Sequence, residues 1–277
     1  MIRHAFRNAA VFLALAAITL SGGCSKSARL DPHQAYARRV EAGKNPATGA
    51  DFADFVRVAA LALAENASAQ DAAAAAGSLI RANGADAVAV LGMRSTQRAA
   101  LESAASANGL KMEMAQNGLA ILARHTVAGQ EGDRLGYPFD GFYLLLPGRK
   151  PLWVVTVDTA LVKDYNVDKV FAELKKRVDG HSGSPVAVAV GFRHSDRAVN
   201  AAALEKIGGF GWTAIAQGDL AQLYATRQAA ARMQAIQPRM ESPAGYVGVC
   251  AADFWLRPPQ AEAPAAGSAP GEAQPAP

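Results

Sequence analysis

Metal binding, proton transfer and nucleophilic attack need particular side chains, and this 277-residue chain carries few of them. There are five histidines (His4, His33, His125, His181 and His194) and two cysteines (Cys24 and Cys250). No histidine stands at metal-ligand spacing from another histidine or a cysteine, so the pattern does not read as a zinc site. His194, Ser195 and Asp196 supply the residue types of a hydrolase relay, but adjacent side chains point in different directions and cannot pass a proton along one line. Gly208-Gly209-Phe210-Gly211 is glycine-rich, yet it leads into a strand-like run instead of opening a helix, which argues against a phosphate cradle. Cys250 reads as a small core residue and not as a reactive thiol.

Cys24 has a different setting. Arg3 and Arg7 precede an uninterrupted apolar run over residues 9–20, and Ser21, Gly22 and Gly23 lead to the cysteine. This is the charged region, apolar region and small-residue cleavage site of an export signal, and the run is shorter than the roughly 20 residues a membrane-spanning helix needs. Leu20-Ser-Gly-Gly-Cys resembles the lipobox of bacterial lipoproteins, with Ser21 where that motif most often has Leu. The resemblance implies removal of residues 1–23 and acylation of Cys24, palmitate included, so that the lipid bilayer is a partner. Ser25 in place of Asp after the cysteine implies, in a Gram-negative cell, a cell-envelope location on the outer membrane facing the periplasm. With Cys24 acylated, Cys250 has no partner for an intrachain disulfide.

Composition divides the remaining chain. Residues 24–50 are polar, with five basic residues against two acids, and suit a tether from the lipid. Residues 258–277 contain only Pro, Ala, Gly, Gln, Glu and Ser, and such a segment cannot offset its ordering entropy, so a disordered tail is expected. Residues 51–257 form the expected domain, with 21 basic residues against 20 acids. The formal charge of +4 for the whole chain therefore comes from its N-terminal segments. A nearly neutral domain lacks the clustered basic face of a nucleic-acid binder, and no nucleic-acid partner is expected. The chain has 63 alanines, so its core must rest on the other apolar residues.

Within the domain, helix and strand signals alternate. Residues 55–63 and 87–91 are apolar runs that predict buried strands. Asp71 opens an alanine-rich helix stopped by Asn83-Gly84, and a second helix spans about 96–107. Leu110, Met112 and Met114 alternate with polar residues before Asn117-Gly118 and an apolar return over 119–122, a hairpin signal. Residues 142–146 and 152–157 flank Pro147-Gly148 as another hairpin. Val167, Val170, Phe171, Leu174 and Val178 keep helical spacing between Asn166 and Gly180. Strands follow at 186–190 and 212–216, and an alanine-rich helix is expected over 219–236, with Arg227 and Arg232 on its solvated face. The pattern predicts a mixed-sheet α+β protein, layered in the manner of an α/β sandwich.

Five of these segments, in order, resemble the endonuclease/exonuclease/phosphatase superfamily over residues 55–257. Phe55-Val-Arg-Val-Ala-Ala-Leu-Ala-Leu looks like its first strand, and Leu79-Ile-Arg-Ala-Asn-Gly-Ala-Asp-Ala-Val-Ala-Val-Leu like the helix and strand that lead to Gln-Glu. Asn117-Gly-Leu-Ala-Ile-Leu-Ala-Arg is close to a strand that many members carry. Val154-Val-Thr-Val-Asp-Thr-Ala-Leu and Pro185-Val-Ala-Val-Ala-Val-Gly-Phe-Arg stand where the family has its Thr-His-Leu and Gly-Asp-Phe-Asn strands. The resemblance implies a four-layer αββα sandwich, and in active members it implies Mg²⁺-dependent cleavage of phosphodiesters or phosphomonoesters.

The implied reactive positions depart from the family. The first-strand Asn reads Ala62, the metal-binding Glu reads Gly92 and the Thr-His-Leu histidine reads Ala160. Gly-Asp-Phe-Asn reads Val190-Gly191-Phe192-Arg193, and only Asp253 echoes an acidic position near the family's end. Ala and Gly offer no ligand to a hard cation and no proton to a leaving group. The expectation is a non-catalytic domain without a cofactor, acting in the envelope as a binding or scaffold module for another envelope protein or an anionic ligand that Arg193 could hold. Two alternatives stay open. One is a Mg-dependent phosphodiesterase or phosphatase whose site has moved onto acids such as Asp86, Asp158 or Asp253. The other is a purely structural envelope lipoprotein.

Overall fold

The structure, a computed structural model, describes residues 55–130, 138–146, 149–162, 166–181, 183–192, 197–240 and 247–256. The expected signal, Cys24, tether and tail lie outside the described residues, as do Pro147-Gly148, Arg193 and the His194-Ser195-Asp196 run.

Among the described residues, twelve strands form two six-stranded sheets. One has the order β11-β12-β1-β2-β4-β3 and the other β5-β6-β7-β8-β10-β9. The strands of the first are β1 (Phe55–Leu63), β2 (Ala87–Leu91), β3 (Lys111–Met114), β4 (Ala120–Ala123), β11 (Met233–Ile236) and β12 (Val247–Trp255). Those of the second are β5 (Val127–Gln130), β6 (Phe139–Leu144), β7 (Leu152–Asp158), β8 (Val186–Gly191), β9 (Thr213–Gln217) and β10 (Ala221–Ala225). The helices are α1 (Ala69–Arg81), α2 (Ser95–Ser106), α3 (Thr159–Val162), α4 (Val167–Gly180), α5 (Arg197–Gly208) and α6 (Arg227–Ala230).

Strand alternation sorts the side chains into layers. Val56, Val58, Ala60 and Ala62 of β1 face Val154 of β7, Ala187 and Ala189 of β8 and Leu223 of β10 across the space between the sheets. Ala59 and Leu61, on the other face of β1, pack with Leu79 of α1 and Leu101 of α2. Val155, Val157, Val188 and Val190 meet Val170, Phe171 and Leu174 of α4 and Ile207 of α5. Two sheets face to face with helices on both outer faces make the four-layer αββα sandwich, an α+β fold, that the sequence led us to expect. Because both faces of the central strands are covered, they carry continuous apolar runs.

The two sheets repeat one topology. β1 and β2 are parallel, β2 pairs antiparallel with β4, and β4 with β3. In the other sheet β7 and β8 are parallel, β8 pairs antiparallel with β10, and β10 with β9. β12 flanks β1 antiparallel just as β6 flanks β7. The C-terminal ends of all four parallel strands lie together, and we call this the upper end of the sandwich.

Local signals set several boundaries. Ser68 caps α1 in a reciprocal box with Asp71, which places the cap three residues before the expected Asp71 start. Asn117 and Gly118 both take positive φ, 61° and 74°, and turn the chain between β3 and β4. One expectation fails: residues 219–236 are not a helix but β10, the four-residue α6 and β11. The alanine content favours helix, but pairing with β8 and β12 buries Ala221, Leu223 and Ala225 between the sheets and outweighs the local propensity. Arg227 and Arg232 therefore do not share a helix face. β12 and α5, which the sequence reading did not assign, complete the two sandwich halves.

Candidate functional site

The upper end is where the substituted positions were expected to meet. β1 and β2 are in register there, with Ala62 opposite Leu91, and β7 and β8 place Asp158 opposite Gly191. Across the sandwich, a Cβ built on Gly191 would lie 2.9 Å from Leu91 Cβ and 3.6 Å from Ala62 Cβ. Ala62, Leu91 and Gly191 thus converge, and Leu91 is only 1% exposed. The centre of this end is filled by an aliphatic side chain packed on a backbone without one.

Gly92 does not join them in the way expected. β2 ends at Leu91, and Gly92 leaves the strand with φ 75°, a conformation that favours glycine. The side chain aimed between the sheets is that of Leu91, one residue earlier. The sequence held a signal for this, because the alternation Ala87, Ala89, Leu91 runs inward.

A polar fringe borders the apolar centre. Asp158 is buried at the end of β7 and accepts a hydrogen bond from the Ala160 N–H at 2.9 Å. Ala160 itself is buried in α3. The Thr159 hydroxyl donates to Asn200 Oδ1 of α5 at 2.8 Å. The sequence reading did not single out Asn200 or Thr159. Their contact ties the start of α3 to α5, and Asp158, on the same strand alternation as Val154, stands beside Gly191 on the inner face of β7.

Asp86 and Asp253 lie at the other end. Asp253 is paired with Arg57 in the β1–β12 register, five residues along β1 from Ala62, or about 17 Å away. Arg57 Nε and Nη2 grip the Asp253 carboxylate at 2.6 and 2.8 Å. This fork raises the Arg57 pKa, chiefly through the hydrogen bonds to Asp253, against a smaller opposing effect of burial. The Arg57 N–H donates to Asp86 Oδ2 at 3.1 Å, and Arg124 Nε lies 3.3 Å from Asp86 Oδ1. Asp86 and Asp253 are thus held by arginines at the lower end, while Asp158 stands at the upper end. The three acids weighed as a relocated metal site do not come together. Among the described residues there is no group of three His, Cys, Asp or Glu side chains that could hold a metal ion.

The remaining candidates are structural. Cys250 is a free thiol in the core between the sheets, and burial pushes its pKa up to about 12. His181 takes part in an aromatic group, hydrogen-bonded to the Tyr143 hydroxyl with its ring 3.9 Å from that of Trp153. Gly208 ends α5 and Gly209–Gly211 lead towards β9, as expected of a turn and not of a phosphate cradle.

The sequence matches no protein-family model, and no curated protein matches it. Solved structures of similar shape include an AP endonuclease from Archaeoglobus fulgidus, at 11% identity and TM-score 0.49, covering 72% of this chain and 99% of that one. An endonuclease/exonuclease/phosphatase from Bacteroides vulgatus aligns at 13% identity and TM-score 0.49, over 73% of this chain and 99% of that one. An endonuclease/exonuclease/phosphatase family protein from Leptotrichia buccalis C-1013-b aligns at 9% identity and TM-score 0.47, over 71% and 98%. Likeness at this level concerns the shape of the backbone and says nothing about a reaction.

Proposed function

We propose that this chain is an exported lipoprotein whose domain is a degenerate, non-catalytic relative of the endonuclease/exonuclease/phosphatase superfamily, serving as a binding or scaffold module in the cell envelope. The observation that carries the non-catalytic reading is the seating of Leu91 against Gly191 and Ala62. A hard cation needs oxygen ligands, and hydrolysis needs a group that moves a proton or orients water. At this point the chain offers aliphatic carbon and glycine backbone, and the neighbouring Asp158 carboxylate is engaged by the Ala160 N–H. The motif resemblance in five ordered segments supports the family reading, and the Leu20-Ser-Gly-Gly-Cys segment supports anchoring through Cys24. A nearly balanced domain charge fits a protein or small-anion partner better than a nucleic acid.

The test of the non-catalytic reading is calorimetry of the full-length chain with Mg²⁺ and Mn²⁺, together with turnover of a generic phosphodiester. No saturable metal binding and no turnover are expected. Millimolar or tighter metal binding accompanied by turnover would instead favour a metal-dependent phosphodiesterase or phosphatase with a relocated site. Anchoring has its own measurement: palmitate labelling in a bacterial host should be present in the native chain and lost in Cys24→Ala.

A further inference from the structure

At the lower end, opposite Gly191, a cavity of about 410 Å³ opens where the loops before β7 and β8 meet the segment joining α6 to β11. Arg149, Lys150 and Arg232 line it, together with Gly183, Pro185 and Gln228. Three cations from two segments, Arg149 and Lys150 from the loop before β7 and Arg232 from the stretch after α6, repel each other around one cavity, and the fold holds them there all the same.

How each is held matters. Lys150 Nζ donates to the Gly183 carbonyl at 2.6 Å and so bridges two of the loops. The Arg232 guanidinium lies over the Phe254 ring, 4.6 Å from its centroid, and donates through Nη2 to the Leu256 carbonyl. Its Nε is buried without a hydrogen-bond partner. Arg149 is exposed at the rim. Among the described residues, none of the three forms an ion pair with an acid. Burial, and then the charge of Arg149, lower the Arg232 pKa, the response expected of a cation that lacks a counter-ion.

We propose that this cavity is a binding site for a small oxyanion of the phosphate class, free or carried as an ester. The exposed Arg149 fork and Lys150 ammonium, with the Arg232 charge held behind them, suit an anion with several equivalent oxygens better than a single carboxylate. The site is separate from the upper end and does not depend on whether that end is catalytic.

Calorimetric titration of the full-length chain at constant ionic strength tests this, with inorganic phosphate and glycerol 1-phosphate as probes and chloride as the control anion. One saturating site is expected, weakened about tenfold or more by Arg149→Gln and by Lys150→Gln, because each removes a charge-assisted hydrogen bond. Both side chains are exposed, and an unchanged circular dichroism spectrum and melting temperature would show that the fold is intact. Tighter binding of glycerol 1-phosphate would assign the anion to a headgroup-type ester, and tighter binding of inorganic phosphate to the free ion. Absence of saturation by either probe below about 10 mM would overturn the proposal, since weaker attraction is generic for a basic surface. Equal affinity of the native chain and the Arg149→Gln/Lys150→Gln double variant would overturn it as well.

Discussion

A methyl group added at Gly191 would come within 2.9 Å of Leu91 Cβ, closer than real side chains pack, so the two positions are energetically tied. Gly191→Ala should destabilise the domain by about 1–3 kcal/mol through overpacking. Leu91→Ala should cost about 2–5 kcal/mol for the lost burial and the cavity left behind. Leu91→Ala keeps the Cβ that the new methyl would meet, so the coupling is read with Leu91→Gly: the loss in Gly191→Ala/Leu91→Gly should fall short of the sum of its two single variants by about 1 kcal/mol or more in urea denaturation. Strict additivity would mean that the upper end is not packed as described. His125 offers a second handle. It is buried, and desolvation lowers its pKa; Arg124 adds to this, and Asp86 opposes it. The unfolded chain therefore takes up a proton near pH 6.5 that the folded chain resists. Stability should be complete above that pH and fall as pH drops below it. His125→Gln should flatten the dependence of melting temperature between pH 7.5 and pH 5. Parallel curves for the two proteins would rule out His125 as a source of acid sensitivity.

Turns and strand ends show where elements obey local rules. Gly118 has φ 74°, and an added Cβ would run into the Met93 carbonyl oxygen, whose residue also accepts no freedom to move because its N–H donates to the Gly118 carbonyl at 2.9 Å. Gly118→Ala should therefore cost more than about 1 kcal/mol, through both backbone strain and the clash. Gly211→Ala makes a useful comparison: its φ is 72° but nothing lies within reach of the new methyl, so only the backbone cost should appear. Equal losses in thermal melts of the two variants would discount the Met93 contact. The same elements explain what the sequence discloses. The runs of β1 and β2 are legible to the residue because strands covered on both faces need unbroken apolar stretches. Asn117-Gly118 announces its turn through a backbone that few residues tolerate. Residues 219–236 are misread because alanine has high helix propensity, and only the neighbouring β8 and β12, remote in sequence, reveal the strands. At the candidate site, Ala62 and Gly191 follow from the strand register. Leu91 takes the place expected of Gly92 because that position rests on the family resemblance, whereas the inward alternation of Ala87, Ala89 and Leu91 carries the geometric signal. Arg57 had a faint signal, as a lone charge within the apolar run of β1, but its partner Asp253 is 196 residues away.

Across the whole molecule, β12 closes the fold. The last described strand pairs with the first over nine positions, from Phe55–Trp255 to Leu63–Val247. It also carries β11 on its other edge. Its start is pressed against the other sheet's hairpin: an added Cβ on Gly248 would overlap Leu220, and one on Gly218 would overlap the Val249 carbonyl. Cys250, Ala252 and Phe254 face into the core between the sheets. A chain ending at residue 246 would lose these contacts together, leave one edge of β1 unpaired and expose the apolar inner face of the opposite sheet. That loss exceeds the stability margin of about 5–15 kcal/mol typical of a domain. Such a chain should show no cooperative melting transition and should bind a hydrophobic dye. A chain ending at residue 257 keeps every described strand, and its melting temperature should stay within about 2 °C of the full-length value, because a Pro- and Ala-rich segment contributes little apolar burial. Cooperative folding of the shorter chain would show that the sandwich does not require its terminal strands to meet. A large loss on removing only residues 258–277 would show that the tail packs on the domain. The pairing of first and last strands also predicts slow folding, since β1 can gain its β12 partner only after almost the whole domain has been made.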